Sequence, residues 1–209
     1  MSIRYAVLLI PHPACTARAY RARQIICGQY GSWAAEMLMV HITLSGFFPC
    51  PDSSVDDLTA GLNTIASESR SGFPEFGLSH RGVSSHPDKP GNLFLDFTPQ
   101  DPANPLRVLH ERIGALTGDL ADPVDPRDRA GDQPGMFLPL MQFAGLAPSL
   151  FDDAVVFAKA VVDDLDVPGS TTAWRLILAR FQSQAAEGDW NQGGWATDVS
   201  WELIASYPL

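Results

Sequence analysis

The sequence predicts an α+β fold in which two sheet-bearing lobes flank a groove. Three observations lead there. Strand-like and helical segments follow one another in mixed order, and each half of the chain contains strand, helix, strand. A strand-like segment, Met37-Leu-Met-Val-His41-Ile-Thr43-Leu-Ser45, has a broken echo at Met136-Phe-Leu-Pro139-Leu140-Met-Gln142-Phe. Hydrophobic residues make up 45% of the 209, enough for a sizeable core. The length suits one domain, residues 1–209, compact or two-lobed.

The elements follow in order. Residues 3–10, rich in Tyr, Val, Leu and Ile, predict a buried strand that Pro11 and Pro13 end. Residues 14–30 carry Ala, Arg, Tyr, Gln and Ile at helical spacing and stop at Gly28 or Gly31. Residues 37–48 are expected as a first motif strand. Asp52-Ser-Ser-Val then opens a helix to about Ser69, capped by Asp or Ser. Phe73 to Val83 reads as one strand, with 92–97 as its hairpin partner across a Ser/His/Pro/Asp turn. Asn104-Pro105 begins a helix to about Gly118, with Pro in the first turn, where its missing donor costs nothing. Residues 119–135, rich in Asp, Pro, Gly and Arg, are expected as a long mobile loop or lid. Residues 136–144 form the second motif strand, and Pro148 to Asp164 an amphipathic helix with Phe151, Val155, Ala158 and Val162 on one face. Thr171 to Phe181 and Thr197 to Tyr207 predict two closing strands joined by a Gly/Trp-rich turn.

Composition excludes some functions. The formal net charge is -10, and of 14 Lys plus Arg only Lys89 and Lys159 are lysines. Long nucleic acid is disfavoured as a partner, because affinity for it comes from clustered cations on phosphates. There is no apolar run long enough to cross a bilayer, so no membrane partner is expected. The N-terminus lacks a basic region and a small-residue cleavage site. Cys15, Cys27 and Cys50 show no metal-ligand spacing, and their odd number fits reduced thiols in a cytoplasm. Asp119, Asp122, Asp125, Asp128 and Asp132 lack the Gly and Glu of a calcium loop, so no metal and no cofactor is expected.

The chemistry sits in His-x-Thr. Residues i and i+2 of a strand share a face, so His41 and Thr43 present an imidazole and a hydroxyl side by side. An imidazole passes protons near neutral pH, and a hydroxyl two residues on can hold a phosphate or carbonyl oxygen. Two such units facing each other would open a phosphodiester, one removing a proton and one supplying it. Here the second unit reads Leu140-x-Gln142.

On these residues the chain resembles the 2H phosphoesterase superfamily, in particular its 2′-5′ RNA ligase-like or cyclic phosphodiesterase branch. Arg4-Tyr-Ala-Val-Leu-Leu-Ile-Pro11 is similar to the family's first strand, and Val40-His-Ile-Thr-Leu44 with Gly46-Phe47 to its first signature. Gly91-Asn-Leu-Phe-Leu-Asp96 and Pro105-Leu-Arg-Val-Leu-His110 look like its middle hairpin and helix. Phe137-Leu-Pro139-Leu140-Met-Gln142 stands where the family has aromatic-x-Pro-His-x-Thr, with Leu140 99 residues beyond His41. The resemblance implies that His41 is one of two acid/base histidines and Thr43 an oxyanion ligand. Leu140 cannot move protons, and Gln142 is a different donor from Thr.

Three functions compete. The first is a repurposed small-molecule enzyme, with His41 as a lone acid/base or hydrogen-bond donor and Gln142 orienting a neutral or weakly charged substrate in a groove that Leu140 makes less polar. The second is a silent small-molecule-binding protein. The third is a weak cyclic 2′,3′-phosphodiesterase, or 2′-5′ RNA ligase-like activity, in which His80 or water replaces the lost histidine. Tyr5 or Leu8 is expected beside the groove, and His80 or His86 as a substitute base. His110 is expected at the surface, and Trp190, Trp195 and Trp201 in core or rim packing, with stacking on a ligand as the alternative. Arg175 and Arg180 fall on opposite strand faces, so at most one reaches the groove.

Overall fold

A computed structural model describes residues 1–86, 89–120 and 135–209. Among the described residues, two antiparallel sheets and four helices make an α+β architecture. The first sheet is built on β1 (Ser2–Pro11) and the 14-residue β7 (Ser170–Ser183), paired along their length from Ser2↔Ser183 to Pro11↔Ala173. The short β2 (Ile42–Thr43) adds to the outer edge of β1. The other edge of β7 takes β3 (Gly77–Ser79) near its start and β8 (Ser200–Pro208) along the rest. The second sheet is β4 (Val83–His86), β5 (Lys89–Asp96) and β6 (Phe137–Met141), with β5 in the middle.

Helices α1 (Pro13–Tyr30), α3 (Pro105–Leu120) and α4 (Pro148–Asp164) begin where hydrophobic spacing and prolines put them, whereas α2 (Val55–Gly72) follows a 3₁₀ turn at Asp52–Ser54 and lacks the expected Asp or Ser side-chain cap. Pro13 sits in the first turn of α1, and Gly31 closes that helix at φ 63, a left-handed cap that glycine adopts without strain. Among the described residues, no helix is long and apolar enough to cross a membrane.

Alternation along β1 divides the core. Tyr5, Val7 and Leu9 enter the main cluster, which they share with residues of all four helices and of β5 and β6. Ala6 and Leu8 face the other way, into a smaller cluster with Leu38, Ile177, Ala179, Phe181, Trp190 and Trp195. The functional question concerns this second face.

Three expectations need correction. The segment 37–48 is not one strand: a 3₁₀ turn covers Ala34–Met37, and only Ile42–Thr43 joins a ladder. The carbonyls of Leu38 and Met39 are taken by side chains instead of a neighbouring strand. Phe73–Val83 is not one strand either. It splits into β3 in the first sheet and β4 in the second, with Gly82 at φ 89 turning the chain between them. Thirdly, α3 runs on through Asp119 and Leu120, into the expected loop. The rest of that loop, 121–134, lies outside the described residues, and with it Asp122, Asp125, Asp128 and Asp132. The Gly/Trp-rich turn before β8 contains two 3₁₀ segments, Glu187–Gln192 and Gly194–Thr197.

Candidate functional site

A cavity of about 190 Å³ opens on the second face of β1, where the first sheet meets the chain leaving β6. Ala6 and Leu8 of β1 form its floor. His41, Thr43, Ser45 and Phe47 come from the segment around β2, and Gln142 and Phe143 from the residues after β6. Phe181, Trp190 and Trp195 complete the wall. Among the described residues, no Lys or Arg lines it.

The β1–β2 register explains the placement. Thr43 pairs with Leu8, so it stands on the cavity face, while Ile42 pairs with Leu9 and is fully buried in the main core. Beyond Thr43 the backbone N–H groups of Leu44 and Ser45 both donate to the Val7 carbonyl, at 3.0 Å each, and the Val7 N–H donates to Ser45 Oγ at 3.0 Å. The segment is further held from α3, where His110 Nδ1 lies 2.7 Å from the Leu44 carbonyl. His110 is thus half-buried and bonded, not a surface residue.

His41 is 4% exposed. Its Nδ1 lies 2.7 Å from the Met39 carbonyl. A carbonyl has no proton to give, so in the neutral ring Nδ1 carries the hydrogen and Nε2 is left with its lone pair. Burial pushes the imidazole down to about 4, against the backbone hydrogen bond, which raises it, and with the Arg23 charge, which lowers it further. His41 is therefore neutral at physiological pH.

Gln142 contributes an amide whose Oε1 is buried without a hydrogen-bond partner, while its backbone carbonyl accepts from Ser32 Oγ at 3.1 Å. Phe143 follows with φ 51, a left-handed conformation uncommon for a bulky residue, and its N–H donates to Asn92 Oδ1 at 3.2 Å. Its ring meets Trp195 edge-on at 5.6 Å. Phe47 packs edge-on against Phe181, Trp190 and Trp195 at 4.9–5.5 Å. Both indole N–H groups are used elsewhere: Trp190 Nε1 donates to Ser2 Oγ at 2.8 Å and Trp195 Nε1 to the Trp190 carbonyl at 3.0 Å. The aromatic wall thus offers ring surface and no free indole donor.

The structure brings His41, Thr43, Gln142 and Leu8 together at one cavity. It does not bring the other expected residues there. Leu140 is fully buried in the main core, so it stabilises the interior and does not form the cavity wall. Tyr5 also points into that core, against Phe48, because odd positions of β1 face away from the cavity. His80 lies at the joint between β3 and β4, where its Nδ1 accepts from the Gly82 N–H at 3.0 Å and its ring packs on Phe97. It does not line the cavity and cannot replace a second histidine there. The side chain of His86 lies outside what the structure describes. Arg175 donates to Ser206 Oγ and Arg180 pairs with Glu202, both across β7–β8 and away from the cavity.

Phe47, Phe143 and Phe181, together with Ser45, complete the cavity without having been singled out from sequence as site residues. Phe47 and Ser45 stand within a few residues of His41. Phe143 gives no sequence signal, because its role depends on a left-handed backbone. A wider, more open groove of about 450 Å³ lies behind residues 37–40, lined by Tyr20, Arg23, Glu36 and Trp201 among others. Among the described residues it contains no histidine and shares only Leu38 with the cavity.

No family model and no curated protein sequence matches the chain. Solved structures do match. The two-sheet α+β architecture is similar to that of E. coli LigT. E. coli LigT in apo form is similar over 100% of this chain and 99% of its own, at TM-score 0.55 and 12% identity. LigT complexed with phosphate matches at 0.54 and 12%, covering 99% of this chain and 96% of that one. A crystal structure described as a phosphoesterase matches at 0.52 and 12%, covering 100% and 99%. The chain has the LigT-like 2H fold, and at this identity the likeness carries the fold and not the chemistry.

Proposed function

We propose that the chain is a small-molecule enzyme on a 2H phosphoesterase-like fold, with His41 as its lone general base or hydrogen-bond acceptor, not the donor the sequence suggested, and a neutral, largely apolar ligand as its substrate. The observation that carries this reading is the make-up of the cavity. Aromatic rings line it, His41, Thr43, Ser45 and Gln142 give it polarity, and among the described residues no cation lines it. Burying a phosphate there would leave a charge without a partner, which is costly. Neutral ligands suit apolar sites with a few convergent polar groups. An engineered cavity of about 150 Å³ holds benzene, so a space of about 190 Å³ suits a ligand of one ring and a few further atoms.

In this reading His41 receives a hydrogen from the ligand at Nε2, because Nδ1 is committed to Met39. Thr43 and the Gln142 amide orient the ligand's polar edge. A ring with a pKa of about 4 is a weak base, so its contribution falls below that of a base poised near neutrality. That weakness also favours a second reading, in which the chain binds a ligand and leaves it unchanged.

The LigT structures hold phosphate, 3′-AMP and NADP+, and a residual cyclic phosphodiesterase is the third reading. It is the least supported, because no second histidine lines the cavity among the described residues. The test is native mass spectrometry of the purified chain and of His41→Ala against two panels, single-ring neutral compounds and 2′,3′-cyclic nucleotides. A neutral compound bound by the wild type and lost in the variant supports the proposal, and its turnover separates enzyme from receptor. Nucleotide binding that depends on His41 would overturn it.

A further inference from the structure

We infer that Arg23 is a positioning residue for His41: it holds the Leu38–Met39 backbone so that the Met39 carbonyl fixes the imidazole with its hydrogen on Nδ1 and Nε2 free for a ligand. The inference rests on the reading of His41 as the working group of the cavity. Arg23 stands on α1, outside the cavity, and is 1% exposed. Its Nη2 donates to the Leu38 carbonyl at 2.9 Å, and its Nη1 reaches the Met39 carbonyl at 3.5 Å. Its Nε faces Glu36 Oε1 at 3.2 Å, an ion pair without hydrogen-bond alignment. The Tyr20 ring lies 5.6 Å from the guanidinium carbon.

The Met39 carbonyl is therefore shared. One side faces a fixed cation and the other the His41 ring at 2.7 Å. This matters because residues 38–41 have no ladder to hold them, since pairing to β1 begins only at Ile42. A buried guanidinium with its carboxylate is costly, and apolar residues of the same volume often serve stability as well or better. What an apolar residue cannot do is grip two adjacent carbonyls. Arg suits that task, because its planar fork presents several donors at fixed angles. Glu36, 17% exposed at its side chain, comes from the same 3₁₀ turn that leads into the gripped segment. Helix, turn and imidazole are thereby joined in one chain of contacts.

The test is the side-chain nitrogen spectrum of His41 in the full chain, labelled at histidine nitrogens, for wild type, Arg23→Met and Arg23→Lys. The wild type should show one tautomer, with a protonated Nδ1 and a lone-pair Nε2. Arg23→Met should lose that signature and show both tautomers in exchange, even where circular dichroism is unchanged. Arg23→Lys keeps the charge but has one donor centre for two carbonyls, and should restore the signature only in part. If the Met variant does not fold, the Lys variant decides. A folded variant of either kind with the wild-type tautomer intact overturns the inference. Because this readout needs no ligand, its failure is separate from a failure to find any ligand that depends on His41.

Discussion

Gly193 leaves empty the space that the Phe143 ring occupies. A Cβ built on Gly193 would come within 2.6 Å of that ring, and the glycine itself lies at φ 82. The two residues come from distant parts of the chain, one just after β6 and one between the 3₁₀ segments before β8. Gly193→Ala therefore combines a left-handed strain with a clash against a residue itself at φ 51. A loss of about 1–3 kcal/mol is expected, measurable by urea unfolding. Near-ultraviolet dichroism should change as well, since Phe143 packs on Trp195. A neutral variant would show that the ring moves aside without cost.

Stability should fall in mild acid because of His41. Its folded-state pKa of about 4 lies below the ordinary 6.5. Above pH 6.5 both states are neutral and nothing is lost. As the pH falls from 6.5 to about 4, the unfolded chain takes a proton that the folded one refuses, and stability declines. The limit for this one group is about 3 kcal/mol. Denaturant midpoints at pH 7 and 4.5 should separate in the wild type and converge in His41→Gln. Equal separation in both proteins would assign the acid sensitivity to other groups.

Writing His-x-Thr into the second motif should not create phosphodiester chemistry. Leu140 is fully buried among apolar side chains, so an imidazole there would lose its hydration without a ready partner. Leu140→His with Gln142→Thr should cost about 1–3 kcal/mol and leave 2′,3′-cyclic nucleotides uncleaved. A stable double variant that hydrolyses them would show a drifted phosphodiesterase.

The thiols should differ in reactivity. Burial pushes Cys27 up to about 12 and also raises Cys15, and both are inaccessible. Only Cys50 is partly exposed. A native titration with a chromogenic disulfide at pH 8 should find at most one fast thiol, rising to three in denaturant. Fast labelling of Cys27 would mean that α1 opens readily from β6, where Cys27 donates to the Leu140 carbonyl at 3.2 Å.

The helices and the long strands were legible because their signals are local. Pro13, Gly31, Asn104-Pro105 and Pro148 mark helix ends through backbone constraints that operate wherever the chain lies. Alternation along β1 puts Tyr5 and Leu8 on opposite faces, but which of the two meets Thr43 was decided by the β1–β2 register.

What the sequence determined by itself was the α+β order of elements, the resemblance on His41 and Thr43, and the absence of a histidine at 140. What tertiary structure decided was which of those residues meet. Whether Leu140 lines a groove or fills a core depends on the elements packed against β6, and those come from distant parts of the chain. Whether Phe73–Val83 is one strand or two depends on which sheet offers each half an edge. The tautomer of His41 rests on a carbonyl that Arg23, 18 positions earlier, also holds. Local periodicity fixes the direction of a side chain along its own element. Only packing fixes what it finds there.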